Sequence, residues 1–235
     1  MKLMKPILFV TATAKEMKAA LGGVCKLPRL EQGKPVEFMF GDRPGLLLVT
    51  GIGVINTSFA LGRALAGNDV GVVVLAGIAG TFNADRFPLC SACVVRKEIW
   101  PEYGLKKGDQ VDPKGLGFSL SEIDGQPVWN EVELSSGKSL FESGLDRFEK
   151  LPEAVSLTVS GVTATAEEAA AYVDEYGADL ENMEGFAAAY VCALVGVGLC
   201  QVRTVSNLVG SRDSNDWDLR GALAELGRVC SALVR

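Results

Sequence analysis

Val70-Gly71-Val72-Val73-Val74-Leu75-Ala76-Gly77-Ile78-Ala79-Gly80 is apolar from Val70 to Leu75, apart from Gly71, and then becomes rich in glycine. An apolar run this short, with no polar alternation, suits a strand buried on both faces of a sheet. The Ala76–Gly80 segment reads as a tight turn in which missing side chains let the backbone approach a ligand. The same pattern extends in both directions. Toward the N-terminus, Ile7 to Val10 reads as a buried strand and Thr13 to Leu21 as a helix. That helix opens with Thr13-x-x-Glu16, the spacing of a capping box. Leu46 to Val49 reads as another strand, followed by Gly51-Ile52-Gly53 and a helix from Asn56 to Ala66. Toward the C-terminus, strands are expected around Val94-Val95, from Leu157 to Val162, and from Leu199 to Val205. Helices are expected from Thr165 to Tyr176, Glu184 to Leu194, and Asp218 to Val234. Repetition of strand, glycine loop and helix predicts an α/β sandwich, a three-layer α/β/α arrangement whose central sheet is largely parallel or mixed. Residues 101–150, richer in Gly, Pro and charge, read as a long excursion within one domain spanning 1–235.

Bulk composition narrows the function classes. Hydrophobic residues make up 48% of the chain and charged residues 22%, which supports a folded core and argues against global disorder. The formal net charge is -6 and no basic run occurs, so a nucleic-acid partner is disfavoured. Ile7 to Val10 is too short for a membrane span or a secretory core, so a cytoplasmic location is expected. There is no histidine, which removes the commonest zinc partner, and Cys90-x-x-Cys93 has no second such pair. All six cysteines read as buried small hydrophobes of a reducing compartment, and neither a metal nor a cofactor is expected.

In open α/β sheets ligands bind beyond the carboxyl ends of the strands, so polar residues at those ends carry the chemistry. Glu16 follows the first strand, where local pattern alone makes it a capping carboxylate. Gly51-Ile52-Gly53 and Gly77-Ile78-Ala79-Gly80 lack the Lys-Ser/Thr ending of a phosphate loop, and as isolated motifs they are simple turns. Glu181-Asn182-Met183-Glu184-Gly185 opens an apolar helix, and Arg203-Thr204-Val205-Ser206-Asn207 ends a strand. Taken singly, these carboxylates and amides read as helix-dipole partners or caps.

Their order along the chain resembles the nucleoside phosphorylase and nucleosidase superfamily. Glu16, the Gly-Ile-Gly turn, Ala76–Gly80, Met183-Glu184 and Ser206-Asn207 carry the resemblance. Within it, Ser206-Asn207, Val209-Gly210 and Arg212-Asp213 resemble the futalosine hydrolase family. The resemblance implies cleavage of the N-glycosidic bond of a purine nucleoside, with Glu16 activating water and Asn207 at the purine. It implies substrate binding by Glu184 and Met183 at the ribose, and by Gly77, Ile78, Thr163 and Asp213. Asn207 stands where adenine-specific members carry Asp, which implies a 6-oxopurine leaving group such as hypoxanthine. Gly161–Thr165 resembles that family's purine-side strand end, but departs from it after Thr163, where Asn is common. Ile78 replaces a hydroxyl residue common in phosphorylases, and Glu16 would repel phosphate, so water is the expected nucleophile. The resemblance also implies a homo-oligomer, a dimer or larger. Rival readings are a methylthioadenosine/S-adenosylhomocysteine nucleosidase, a phosphorylase, and a noncatalytic nucleoside-binding protein. Arg212 reads equally as a loop-positioning residue or as a partner of Asp213, whose own plain alternative is helix capping. Trp100, Tyr103 and Phe118 in the excursion read as packing or as lining of the 5′ pocket.

Overall fold

The computed structural model describes residues 5–108, 110–134, 145, 148 and 150–233. Its first strand, β1 (Ile7–Thr11), explains why the early apolar run does not alternate. Ile7 and Phe9 enter one hydrophobic core, and Leu8 and Val10 enter another on the opposite face. Successive side chains of a strand point to opposite faces, so a strand covered on both sides must be apolar throughout. Helix α1 (Ala14–Leu21) follows, with Thr13 as the N-cap of a complete capping box with Glu16.

The elements that follow are β2 (Val36–Phe40), β3 (Arg43–Val49), α2 (Val54–Gly67), β4 (Val72–Thr81) and β5 (Ala92–Ile99). Five short strands occupy the excursion: β6 (Leu105–Lys107), β7 (Gln110–Asp112), β8 (Ser121–Ile123), β9 (Gln126–Val128) and β10 (Glu131–Glu133). The chain then forms β11 (Glu153–Thr158), α3 (Ala166–Tyr176), β12 (Leu180–Asn182), α4 (Gly185–Val195), β13 (Gly198–Leu208) and α5 (Leu219–Cys230). Helices α1 and α5 cover one face through Met17, Leu21, Leu226 and Cys230. Helices α2 and α4 cover the other through Leu61, Ala64, Ala188 and Cys192. The architecture is the α/β sandwich with a mixed central sheet that the sequence pattern implies.

The sheet has nine strands and a closed portion. Strand β4 pairs with β13 in parallel, and β13 pairs with β5 antiparallel. Strand β5 pairs with β11, and β11 with β12, both in parallel. Strand β12 returns to β4 antiparallel through Leu180↔Thr81 and Glu181↔Gly80. These five strands therefore close a ring, while β1, β3 and β2 extend the sheet from β4.

Three local expectations are corrected. Ala76–Gly80 is not a turn: it continues β4 to Thr81 because β13 pairs alongside it over that whole length. The strand expected over Leu157 to Val162 starts at Glu153 and ends at Thr158, beyond which the Ser160 N–H donates 2.7 Å to the Glu102 carboxylate instead of to a strand. The closing helix ends at Cys230 and gives way to a 3-10 turn, Ser231–Leu233, while Val234 lies outside the described residues. Among the cysteines, Cys25 and Cys90 are half-buried where burial was expected, and all six are free thiols. Cys90 occupies the left-handed region at φ 63°, and its thiol donates to Asp218 at 3.3 Å.

The start of α4 shows how tightly the ring is packed. A Cβ on Gly185 would lie 1.9 Å from Glu98 Oε1 and 2.6 Å from Gln201 Nε2, both in the buried interior. Gly185→Ala must push this buried network apart, and we expect a loss of about 1–3 kcal/mol in unfolding free energy. Urea denaturation would measure it, and an unchanged midpoint would show that the network yields freely.

Candidate active site

The carboxyl ends of β1, β4, β12 and β13 meet at a cavity of about 320 Å³. Glu16, Ile78, Thr163, Met183, Glu184 and Asn207 all border it. Residues far apart in sequence, assigned to the site by the family resemblance, are thus brought together. Gly77 and Asp213 are not among the lining residues.

Glu16 performs two tasks. Its Oε2 accepts from the Thr13 N–H at 2.9 Å and from the Thr13 hydroxyl at 2.7 Å. Its Oε1 accepts from the Ile78 N–H at 3.2 Å, so the capping carboxylate also reaches across to β4. Gly77 makes this approach possible, because a Cβ there would lie 2.8 Å from both Glu16 Oε1 and Arg203 Nη1.

Glu184 is the residue that precedes α4, yet it makes no side-chain cap. Asn182 Oδ1 serves instead, accepting from the N–H groups of Glu184 at 2.8 Å and Gly185 at 2.6 Å. The Thr158 hydroxyl accepts from the Phe186 N–H at 2.7 Å. With the helix start satisfied by others, the Glu184 carboxylate is free to face the cavity. It accepts from the Gly53 N–H at 3.1 Å. Gly53 presents that N–H from φ 89°, a conformation that favours glycine. Burial raises the Glu184 pKa, while the Arg203 guanidinium, 3.6 Å from Oε2, and the Gly53 N–H oppose the rise.

Arg203 was visible in the sequence only as part of an apolar strand end. It is 1% exposed and donates to Asn182 Oδ1 at 2.9 Å and to the Ile78 carbonyl at 3.2 Å. Behind it, fully buried Glu98 accepts from Thr158 Oγ1 at 2.7 Å, Asn182 Nδ2 at 2.9 Å and Gln201 Nε2 at 2.6 Å. Glu181 was visible in the sequence only as the first residue of the segment that opens an apolar helix, with no role of its own. It is 6% exposed, borders the cavity, and accepts from the Thr163 N–H at 3.1 Å and from the Thr163 hydroxyl. No local motif flags either glutamate, since only cross-strand register brings them to these positions.

Asn207 follows a bulge in the β4–β13 pairing. Its Oδ1 accepts from the Ser206 hydroxyl at 2.8 Å. Arg212 lines the cavity, whereas Asp213 is exposed and caps the short 3-10 turn Ser214–Asp216 by accepting from the Asn215 N–H at 2.8 Å. Trp217 also lines the cavity. Of the excursion aromatics, Trp100 packs within 5.7 Å of Phe186, Tyr103 within 6.0 Å of Trp100, and Phe118 is 78% exposed. None of the three borders this cavity.

A family model described as the phosphorylase superfamily matches residues 6–235. A futalosine hydrolase of Thermus thermophilus is 36% identical over 187 residues, covering 80% of each chain. A futalosine hydrolase of Acidothermus cellulolyticus is 30% identical over 233 residues, covering 96% of this chain and 89% of its own. The chain belongs to the phosphorylase superfamily, within its futalosine hydrolase family. Solved structures of phosphorylase-superfamily fold agree with the architecture. A futalosine hydrolase mutant of Helicobacter pylori superposes with a TM-score of 0.77 at 18% identity, covering 98% of both chains. A 5′-methylthioadenosine/S-adenosylhomocysteine nucleosidase of the same organism superposes with a TM-score of 0.76 at 17% identity, covering 99% of both.

The interior network of this phosphorylase-superfamily chain yields a pH prediction. Burial lifts Glu98 from the ordinary carboxylate value of 4.5 to about 7, against the pull of Arg203 and three donors. The folded state therefore holds a proton that the unfolded chain releases between pH 4.5 and about 7. The stability contributed by this group is full below pH 4.5, and is lost as pH rises through about 7. The unfolding free energy of wild type minus that of Glu98→Gln should fall by roughly 3 kcal/mol across that window. Denaturant titrations at stepped pH would measure it, and a flat difference would refute the linkage.

Proposed function

We propose that this chain hydrolyses the N-glycosidic bond of futalosine, releasing hypoxanthine and dehypoxanthinyl futalosine, as a step of menaquinone biosynthesis. The relatives named futalosine hydrolase support the reaction. The observation that carries the site assignment is the convergence of buried Glu16 and Glu184 on one cavity that also holds Asn207.

Cleavage develops positive charge on the ribose. Two carboxylates in a low-dielectric cavity favour that charge electrostatically. Glu184 accepts from the ribose hydroxyls, and Met183 packs against the sugar. Glu16 takes a proton from the water that attacks C1′, while the C1′–N9 bond breaks, its electrons pass to the purine, and the purine takes up a proton from solvent at N7. A weakly basic carboxylate suffices, because an oxocarbenium-like centre is strongly electrophilic. Asn207 offers both an acceptor and a donor, matching a protonated N7 and a 6-oxo group. Arg203 fits a hydrolase better than a phosphorylase: its Nη atoms are already engaged with Ile78, Asn182 and Glu184. The chemistry draws on no metal or organic cofactor, and we place the enzyme in the cytoplasm as a homo-oligomer, a dimer or larger. Among the described residues, no helix is long and apolar enough to cross a membrane.

Purified protein should release hypoxanthine from futalosine at the same rate with and without phosphate. Glu16→Gln should lower kcat by about 100-fold or more while product affinity, read by calorimetry, changes little. Strict phosphate dependence would overturn the hydrolytic assignment, and full turnover by Glu16→Gln would remove Glu16 from the mechanism. Asn207→Asp should move the preference toward adenine nucleosides such as methylthioadenosine. Competition assays that release both bases would detect the shift, and an unchanged product ratio would count against Asn207 as a purine contact.

A further inference from the structure

Glu181 has no part in the roles assigned above, yet its carboxylate borders the same cavity. Its place in the sheet is informative. Gly80 pairs with Glu181 on one side and with Asn207 on the other. Registered neighbours on adjacent strands project their side chains to the same face. A Cβ on Gly80 would approach Asn207 Nδ2 to 3.0 Å, as expected if the Asn207 side chain stands on that face. Glu181, Gly80 and Asn207 therefore form one row, with a carboxylate at one end and an amide at the other, and the Val209 side chain packs over Gly80, its Cγ2 lying 2.7 Å from where a Cβ would stand. Two inter-strand spacings separate the flanking backbones, roughly 9–10 Å. Both ends border the one cavity, so a flat heterocycle bound there can reach both.

The chemistry of the two ends distinguishes the bases. A 6-oxopurine carries a hydrogen on N1, whereas a 6-aminopurine presents a lone pair there. An ionised carboxylate only accepts, and it has about four acceptor positions. Thr163 occupies part of that capacity, with its N–H on Oε1 and its hydroxyl on Oε2. These bonds also fix the direction of the carboxylate. Burial raises the Glu181 pKa, and the hydrogen bonds from Thr163 and the charge of nearby Arg212 oppose that rise.

We infer that Glu181 is the specificity residue that accepts the N1 hydrogen of a 6-oxopurine while Asn207 engages the opposite edge of the base. The inference rests on the purine-nucleoside reading of the site and deepens it. A buried carboxylate set against the N1 lone pair of adenine would leave two acceptors facing each other, and that mismatch rejects the wrong base. Glu181→Gln preserves size and keeps an oxygen for the Thr163 N–H, but it adds an N–H₂ that can face an N1 lone pair.

The experiment compares wild type, Glu181→Gln and Glu181→Ala on futalosine and on its 6-amino analogue, and measures hypoxanthine and adenine binding by calorimetry. We expect Glu181→Gln to lower the futalosine kcat/KM by about 30-fold and to leave the amino analogue unchanged or improved. Hypoxanthine affinity should fall in parallel, with adenine affinity held or raised. Glu181→Ala should lose hypoxanthine affinity without that gain for adenine. Equal losses on both substrates would reduce Glu181 to support for the Thr163 turn and overturn the inference. If Glu181→Gln fails to fold by thermal melting, Thr163→Val gives the second test. Removing the hydroxyl loosens the carboxylate that it directs while Glu181 stays, so the preference for hypoxanthine over adenine should fall partway toward the Glu181→Ala value, and an unchanged ratio would overturn the assignment. Wild-type protein that releases no base from futalosine but binds hypoxanthine over adenine in a Glu181-dependent way would overturn the proposed reaction and keep this inference.

Discussion

The buried guanidinium of Arg203 is the constraint on which the rest of the site depends. It joins three parts of the structure at once: the β4 backbone through Ile78, the entry to α4 through Asn182, and the cavity through Glu184. A charge taken so far out of water is costly unless every neighbour is arranged to meet it. That requirement accounts for features that look unrelated. Gly77 lacks a side chain where the guanidinium and Glu16 come together. Asn182 turns its oxygen toward Arg203 and the start of α4, and its nitrogen toward Glu98. Glu184, relieved of capping, pairs with the cation and faces the cavity.

This arrangement favours preorganisation over adaptability. Apart from Thr163 and Arg212, which stand in connections, the polar residues given roles at the site stand on strand ends or at helix starts. Their separations follow from strand pairing, which holds positions more firmly than loop closure could. A cavity carboxylate whose lone pairs are already aimed needs little reorganisation as positive charge develops beside it.

Much of this was legible in the chain, and the exceptions share a cause. Ile7 to Val10 read correctly as a buried strand, and the run expected from Val70 to Leu75 as a strand covered on both faces, although it begins at Val72, because such composition reports both faces at once. Thr13 with Glu16, and Thr165 with Glu168, read correctly as capping boxes because caps are local. Ala76–Gly80 was misread as a turn. Its glycines serve close approach between strands, an effect that depends on β13 more than a hundred residues away. Glu98 was not singled out, and Arg203 and Glu181 were visible only as parts of longer segments, for the same reason: each is an ordinary charged residue until register places it beside its partners. Glu16 shows the reverse limit, since the plain capping reading was correct and still incomplete.

The closed ring has a consequence for how the molecule meets its own copies in a crowded solution. Strands within a ring have no free hydrogen-bonding edge, so the half of the sheet that carries the site offers no template for another chain. Among the described strands, the open borders of the main sheet are β2 and β10, both away from the ring closure. Strand β10 is three residues long and bears Glu131 and Glu133, which clasp Lys97 on the neighbouring strand. A short, charged border of this kind resists edge-to-edge association. Strand β2 is longer and exposes Met39 beside Glu37 and the turn residue Asp42. Resistance to aggregation is therefore uneven around the molecule, strongest beside the chemistry and weakest at the β2 border.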